Sequence, residues 1–176
     1  MLFLLAGTDM STIENNDELA SLIADIEKHF ANVTPPSADN IAECQNDWEI
    51  EEITRTFAGR DWRDLDRETV ESNPVLSLFT PEAFHYFLPA YLRYSIDGPF
   101  SYSGLLVDTV NRLLPGKETA GSSGLYRDRL RPFNEDQMNT VIKFLDWVRN
   151  HPDGYRLYKN IDRGKPRLMK YFRESR

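Results

Sequence analysis

The chain has a single cysteine, Cys44, among its 176 residues. A disulfide bond within the chain is therefore impossible, and zinc sites built on paired cysteines are excluded. The three histidines, His29, His85 and His151, are far apart in sequence, and none forms a His-x-x-His pattern. We therefore expect neither a bound metal nor a cofactor.

Long apolar runs are missing as well. No segment approaches the roughly 18 apolar residues that a membrane-spanning helix needs. The apolar residues 1–6 have no basic residue before them, and Asp9 follows closely, so they are a poor signal peptide. We expect a cytoplasmic protein without membrane contact, and a lone cysteine fits such a reducing compartment. Met10 is an alternative start of translation.

The common catalytic and nucleotide-binding motifs are absent. Gly116-Lys117 lacks the upstream glycine of a phosphate loop, because Asn111 stands there. The stretch 121–124 lacks the spacing of a nucleophile elbow. The acidic run 47–52 lacks the central glycine of a calcium loop, so a solvated helix face is the better interpretation.

Helical signals dominate the chain. An apolar stripe predicts a helix over 16–32, and 38–57 is predicted as one helix or two. Thr80-Pro81 is a cap followed by proline at the first helical position, and Pro89 predicts a kink or break in that helix. Further helices are predicted to follow: one with Ser103 as its cap, one capped by Asn134 with Gln137 in a capping box, and a last one over 166–174.

The predicted fold is all-α, a single compact domain of about six helices with no more than one short strand, at 75–79. No stretch shows the sustained alternation of a sheet. We expect a flexible N-terminus over 1–15, a helical domain over 16–176 and a surface loop over 116–124.

Charge is unevenly distributed along the chain. Residues 1–56 hold 12 acidic and 2 basic residues, whereas 121–176 hold 7 acidic and 13 basic residues. The favoured interpretation is that the two ends pack together and neutralise each other. The alternative is a nucleic-acid site in the C-terminal segment, where basic residues from Arg149 to Arg176 alternate with Tyr155, Tyr158, Tyr171 and Phe172. The acidic chain, with a net charge of −7, disfavours that alternative.

Aromatic residues and arginines are concentrated between 60 and 94. A stripe of this kind usually belongs to the core. Its functional interpretation is a groove for a partner, with Arg60, Trp62, Tyr86 and Tyr91 as candidate binding residues, since aromatics and arginine dominate binding hot spots.

Two stretches carry a resemblance to a known family. Phe-Ala-Gly-Arg-Asp-Trp-Arg-Asp-Leu at 57–65 and the Thr-Pro-Glu-Ala-Phe to Leu-Pro-Ala-Tyr run at 80–91 resemble a bacterial family defined only as a domain of unknown function. The similarity spans about 57–150. It implies a compact bacterial cytosolic protein and supplies no activity, cofactor or catalytic residue.

The expected function is therefore that of a small non-enzymatic protein that binds a protein partner, as an accessory or immunity-like factor. It would use its acidic N-terminal face or the Trp62–Tyr91 region. Two alternatives stay open: an enzyme with His85, Tyr86 and either Asp61 or Glu82 in one cleft, and the nucleic-acid site described above.

Overall fold

The structure, a computed structural model, describes residues 10–43, 46–97, 104–116 and 122–176. Cys44, Ser103 and most of the predicted loop 116–124 lie outside these ranges. Within them the chain is all-α, as predicted, and its eight α-helices are α1 (Met10–His29), α2 (Asp47–Phe57), α3 (Arg67–Ser72), α4 (Pro81–Ile96), α5 (Gly104–Leu113), α6 (Ser122–Leu130), α7 (Glu135–Asn150) and α8 (Tyr158–Glu174).

The central element is α4, which packs against α1, α3, α5 and α6. Twelve of its sixteen residues are buried, so it is apolar on nearly every side. Thr80 caps it as predicted, with its Oγ1 accepting from the Ala83 amide over 3.2 Å. The helix runs through Pro89 without a break, and Pro89 itself is buried.

The second layer consists of α7 and α8. The capping box predicted for α7 is present, with Asn134 and Gln137 each accepting from the other's amide over 2.9 Å. Its buried face lies against α1 on one side and α8 on the other. These local caps fix the residues at which α4 and α7 begin. The beginnings of the two helices in turn determine which side chains line the cleft between them and α1.

Several boundaries differ from the prediction. The first helix begins at Met10 rather than 16, and α2 covers only the second half of 38–57. The last helix begins at Tyr158, eight residues earlier than predicted, because Pro166 lies inside it rather than at its start. The predicted strand at 75–79 contributes only an isolated bridge between Ala42 and Phe79.

Among the described helices, none combines the length and the apolar character that crossing a bilayer requires.

Candidate functional site

The predicted aromatic binding residues lie largely inside the protein. Trp62, Tyr86 and Tyr91 are 1%, 5% and 0% exposed. The hydroxyl of Tyr91 donates to the Asn73 carbonyl over 2.6 Å, and burial raises the pKa of this phenol above its ordinary value. Arg60 is partly exposed and lies 3.9 Å from the Asp66 carboxylate. A binding role for these four residues stays a prediction, but the three rings belong to the core and offer a partner almost no surface.

A cleft lies where the end of α1 meets the beginnings of α4 and α7. It has a volume of about 480 Å³, and His29, Glu82, His85, Asn134 and Gln137 are among its lining residues. Of the predicted enzyme site, His85 and Glu82 are thus brought together. Tyr86 is not among the lining residues, because consecutive residues of a helix point about 100° apart. Asp61, which precedes the 3-10 turn Trp62–Asp64, is not among them either.

One side chain, Gln137, connects the elements of this cleft. Its Oε1 accepts from the Asn134 amide and from Nε2 of His85, each over 2.9 Å. Its Nε2 donates to the His29 carbonyl over 3.1 Å, which fixes the orientation of the amide. Because Oε1 can only accept, Nε2 of His85 carries the hydrogen. Burial lowers the pKa of His85, and the hydrogen bond to Gln137 opposes that shift.

The second imidazole of the cleft, that of His29, is oriented by a hydroxyl. Nδ1 of His29 lies 2.8 Å from Oγ1 of Thr140, whose own hydrogen is donated to the Asp136 carbonyl. Nδ1 of His29 is therefore the donor, and a neutral His29 ring keeps Nε2 as an acceptor.

This cleft is lined by polar side chains together with Val33 and Pro132. It combines two oriented imidazoles with the Glu82 carboxylate, but no serine or cysteine is found among its described lining residues. Across the described part of the chain, no three His, Cys, Asp or Glu side chains are grouped closely enough to hold a metal ion. The Thr140 hydroxyl does lie at hydrogen-bond distance from the His29 imidazole, but its hydrogen is donated to the Asp136 carbonyl rather than to the ring.

A different feature stands out on α2. Trp48 is 65% exposed, the highest exposure of any large hydrophobic residue in the described ranges. Ile53 and Phe57 bury the opposite side of the helix. Glu51 and Glu52, at three and four residues from Trp48, lie on the same side of the helix as Trp48. We call Asp47, Trp48, Glu51 and Glu52 the α2 face.

The carboxylates of the α2 face lack cationic partners. Within the described ranges, no lysine or arginine lies at salt-bridge distance from Asp47, Glu51 or Glu52. Arg55 stands one turn further along the same side and is the one basic residue of the helix. The sequence predicted this run as a solvated acidic helix face, but it gave no sign that Trp48 would project from it.

Residues 18–176 match the sequence profile of the Family of unknown function (DUF6714). The chain belongs to this family. The match covers the cleft, the α2 face and α8, and extends further in both directions than the resemblance predicted over 57–150. No curated protein matches the chain, and no solved structure does.

In this DUF6714 protein only part of the basic C-terminal segment is accessible to a nucleic acid. Tyr171 and Phe172 are buried, so these two rings cannot stack on bases. Its cations pair mainly within α7 and α8 rather than with α1: Arg149 with Asp162, Lys165 with Asp146, and Lys170 with Glu174.

The acidic first helix finds its partners elsewhere. Asp25 of α1 pairs with Lys143 of α7 over 2.6 Å, and Glu27 pairs with Arg93 of α4 over 3.6 Å. Of these two pairs, only Asp25 with Lys143 joins the acidic end of the chain to its basic end. The arginines of α8 do not contribute a salt bridge to α1 among the described residues.

Proposed function

We propose that this DUF6714 protein is a non-enzymatic accessory factor that binds another protein, and that the α2 face docks a basic segment of that partner. The observation that supports the proposal is the 65% exposure of Trp48 on a helix whose neighbouring carboxylates have no cationic partner in the described structure.

Trp48 is suited to anchor a partner. Tryptophan is a large apolar side chain that is enriched among the residues contributing most to protein interfaces. Most of the described aromatic residues are buried in the core, whereas Trp48 leaves most of its ring in water. Covering that ring would supply the apolar centre of an interface.

The surrounding charge favours a cationic partner. Glu51 and Glu52 lie one turn from Trp48, and Asp47 directly precedes it. Lysine or arginine side chains of the partner would pair with these carboxylates, and an arginine could also stack on the indole. The net charge of −7 would speed the encounter with a basic polypeptide. Nucleic acid is a poor candidate for this face, since its phosphates would meet uncompensated carboxylates.

An enzymatic role has less support. The cleft of His29 and His85 contains oriented imidazoles, but the residues that line it provide neither a serine or cysteine nucleophile nor a metal site. The α2 face, by contrast, combines an apolar anchor with a charge pattern in one place.

The test is a comparative capture experiment with the full chain as bait. Three baits are compared in extracts of the source organism: the natural chain, Trp48→Ala, and Tyr158→Ala as matched control, because Tyr158 is the other exposed large hydrophobic residue, at 39%. We expect a protein that the natural chain and Tyr158→Ala retain and that Trp48→Ala loses.

Salt provides the second arm of the same experiment. Replacing Glu51 and Glu52 by glutamine should weaken capture and reduce its sensitivity to salt, because exposed charge pairs are screened over about 10 Å at 0.1 M salt. Retention of the same protein by Trp48→Ala, or loss of binding from the Tyr158→Ala control alone, would overturn the proposal.

A further inference from the structure

A second, smaller cleft lies between the C-terminal end of α5 and the first half of α8. Its volume is about 250 Å³. Asn111 and Leu114 line it from the α5 side, and Asn160, Arg163 and Arg167 line it from α8. No carboxylate is among its lining residues in the described structure, although the chain as a whole is acidic.

Gly164 determines how closely the two walls approach. A Cβ atom at this position would lie 2.9 Å from side-chain carbons of Leu114, a distance too short for ordinary contact. The absence of a side chain therefore lets α8 pack directly on Leu114. Asn160, Arg163 and Arg167 follow one another at three and four residues, so they form one row beside this contact.

The two arginines of the row are unpaired. Among the described residues, no carboxylate lies at salt-bridge distance from Arg163 or Arg167, whereas Arg149, Lys165 and Lys170 nearby each have one. Two guanidinium groups one turn apart repel each other. An anion held between them would remove that repulsion and accept hydrogen bonds from both.

We infer that this cleft binds the phosphate group of a small phosphorylated molecule. Arginine presents its N–H groups in a planar fork that matches two oxygens of a phosphate. The amides of Asn111 and Asn160 can donate to the remaining oxygens or contact hydroxyl groups of the ligand. A cleft of about 250 Å³ is smaller than the usual pockets for drug-sized ligands, which favours a compact ligand such as a sugar phosphate.

The partial charge at the end of α5 opposes a bound phosphate, and a nucleic-acid strand is a competing ligand. Both considerations weigh less than the attraction between a phosphate and the two arginines. The C-terminal end of α5 contributes a negative partial charge of about half an elementary charge, against two full positive charges. A nucleic-acid strand would use several exposed rings to stack its bases, but among the rings of α8 Tyr171 and Phe172 are buried and Tyr158 alone is exposed, at 39%. The inference is independent of the proposed docking at α2, because the cleft is lined by α5, the residues that directly follow it and α8, and by no residue of α2.

The experiment is isothermal titration of the full chain with ribose 5-phosphate, with ribose, with inorganic phosphate and with a short single-stranded oligonucleotide. We expect saturable binding of ribose 5-phosphate, weaker binding of inorganic phosphate and none of ribose. Arg163→Gln and Arg167→Gln should each weaken binding by about tenfold, the effect of losing one charge-assisted contact. Arg173→Gln is the matched control, an exposed arginine of the same helix outside the cleft, and should leave affinity unchanged.

Three results would overturn the inference. The first is the absence of saturable binding for both phosphate and ribose 5-phosphate. The second is an equal loss in the Arg173→Gln control, which would indicate attraction by the general charge of α8. The third is binding of the oligonucleotide alone. Circular dichroism of each variant shows that it has folded.

Discussion

Nε2 of His85 donates a hydrogen bond of 2.9 Å to Oε1 of Gln137. The same amide accepts from the backbone of Asn134 and donates to the carbonyl of His29, so one buried side chain joins the beginnings of α7 and α4 to the end of α1. Each of these groups would be unpaired without it. Gln137 therefore connects three helices at the cleft of His29 and His85.

This arrangement predicts how stability changes with pH. The pKa of His85 is held below its ordinary value of 6.5, chiefly by burial. The unfolded chain therefore binds a proton at a higher pH than the folded chain does, and the contribution of His85 to stability is present above pH 6.5 and lost as the pH falls through the folded-state pKa. An NMR titration of the imidazole should give a midpoint below 6.5, and a midpoint at or above that value would contradict the buried, neutral ring.

Gln137 itself should be sensitive to substitution. Gln137→Leu would leave the Asn134 amide, the His85 ring nitrogen and the His29 carbonyl without partners, at a cost of about 2–4 kcal/mol in the free energy of unfolding. Gln137→Glu keeps an acceptor for the first two groups and should lose less. Urea unfolding measures both, and an equal loss in the two variants would show that the hydrogen bonds are not what matters.

Much of the fold could be predicted because its signals are local. Thr80 before Pro81 and Asn134 before Gln137 form caps from residues within one turn, and the structure has both helices where those caps place them. The all-α class follows similarly from apolar stripes.

The rest depends on contacts between distant residues. No stripe marks α6, over Ser122–Leu130, because its sequence is rich in Gly, Ser and Arg, and it is stabilised by neighbours instead: the Arg129 guanidinium lies 4.8 Å from the Phe84 ring centre. The cleft joins His29 and His85 through helix packing that no motif encodes. The sequence likewise gives no sign that Trp48 and Trp62 differ, yet Trp48 is exposed and Trp62 belongs to the core.

Two glycines provide a matched test of the packing at the end of α7. A Cβ on Gly154 would collide with the backbone carbonyl of Val148, which cannot move away easily. Gly154→Ala should therefore cost more than about 2 kcal/mol in unfolding free energy. Gly124→Ala, in α6 with no atom within 4 Å of the new Cβ, should be neutral or stabilise by up to about 1 kcal/mol. Equal effects in denaturant titrations would be evidence against the tight 152–156 turn.

Substitutions of Trp62 and Trp48 should separate an effect on stability from an effect on binding. Trp62 is 1% exposed, and Trp62→Ala should cost about 3–5 kcal/mol by opening a cavity in the core. Trp48→Ala should change stability by less than about 0.5 kcal/mol, as surface substitutions usually do. Acrylamide should quench the fluorescence of Trp48 far more than that of Trp62. A lower melting temperature for Trp48→Ala than for the natural chain would mean that the Trp48 ring is packed, which would contradict its exposure.

The most direct test of docking at the α2 face is photo-crosslinking inside the source cells. A photoreactive phenylalanine analogue is placed at position 48 in one chain and at position 158 in another, so that both exposed aromatic sites carry the same probe. We predict a discrete crosslinked protein from position 48 alone, joined through a lysine- or arginine-rich segment. Crosslinks that are equal at the two positions, or that are missing at position 48, would contradict the proposed function.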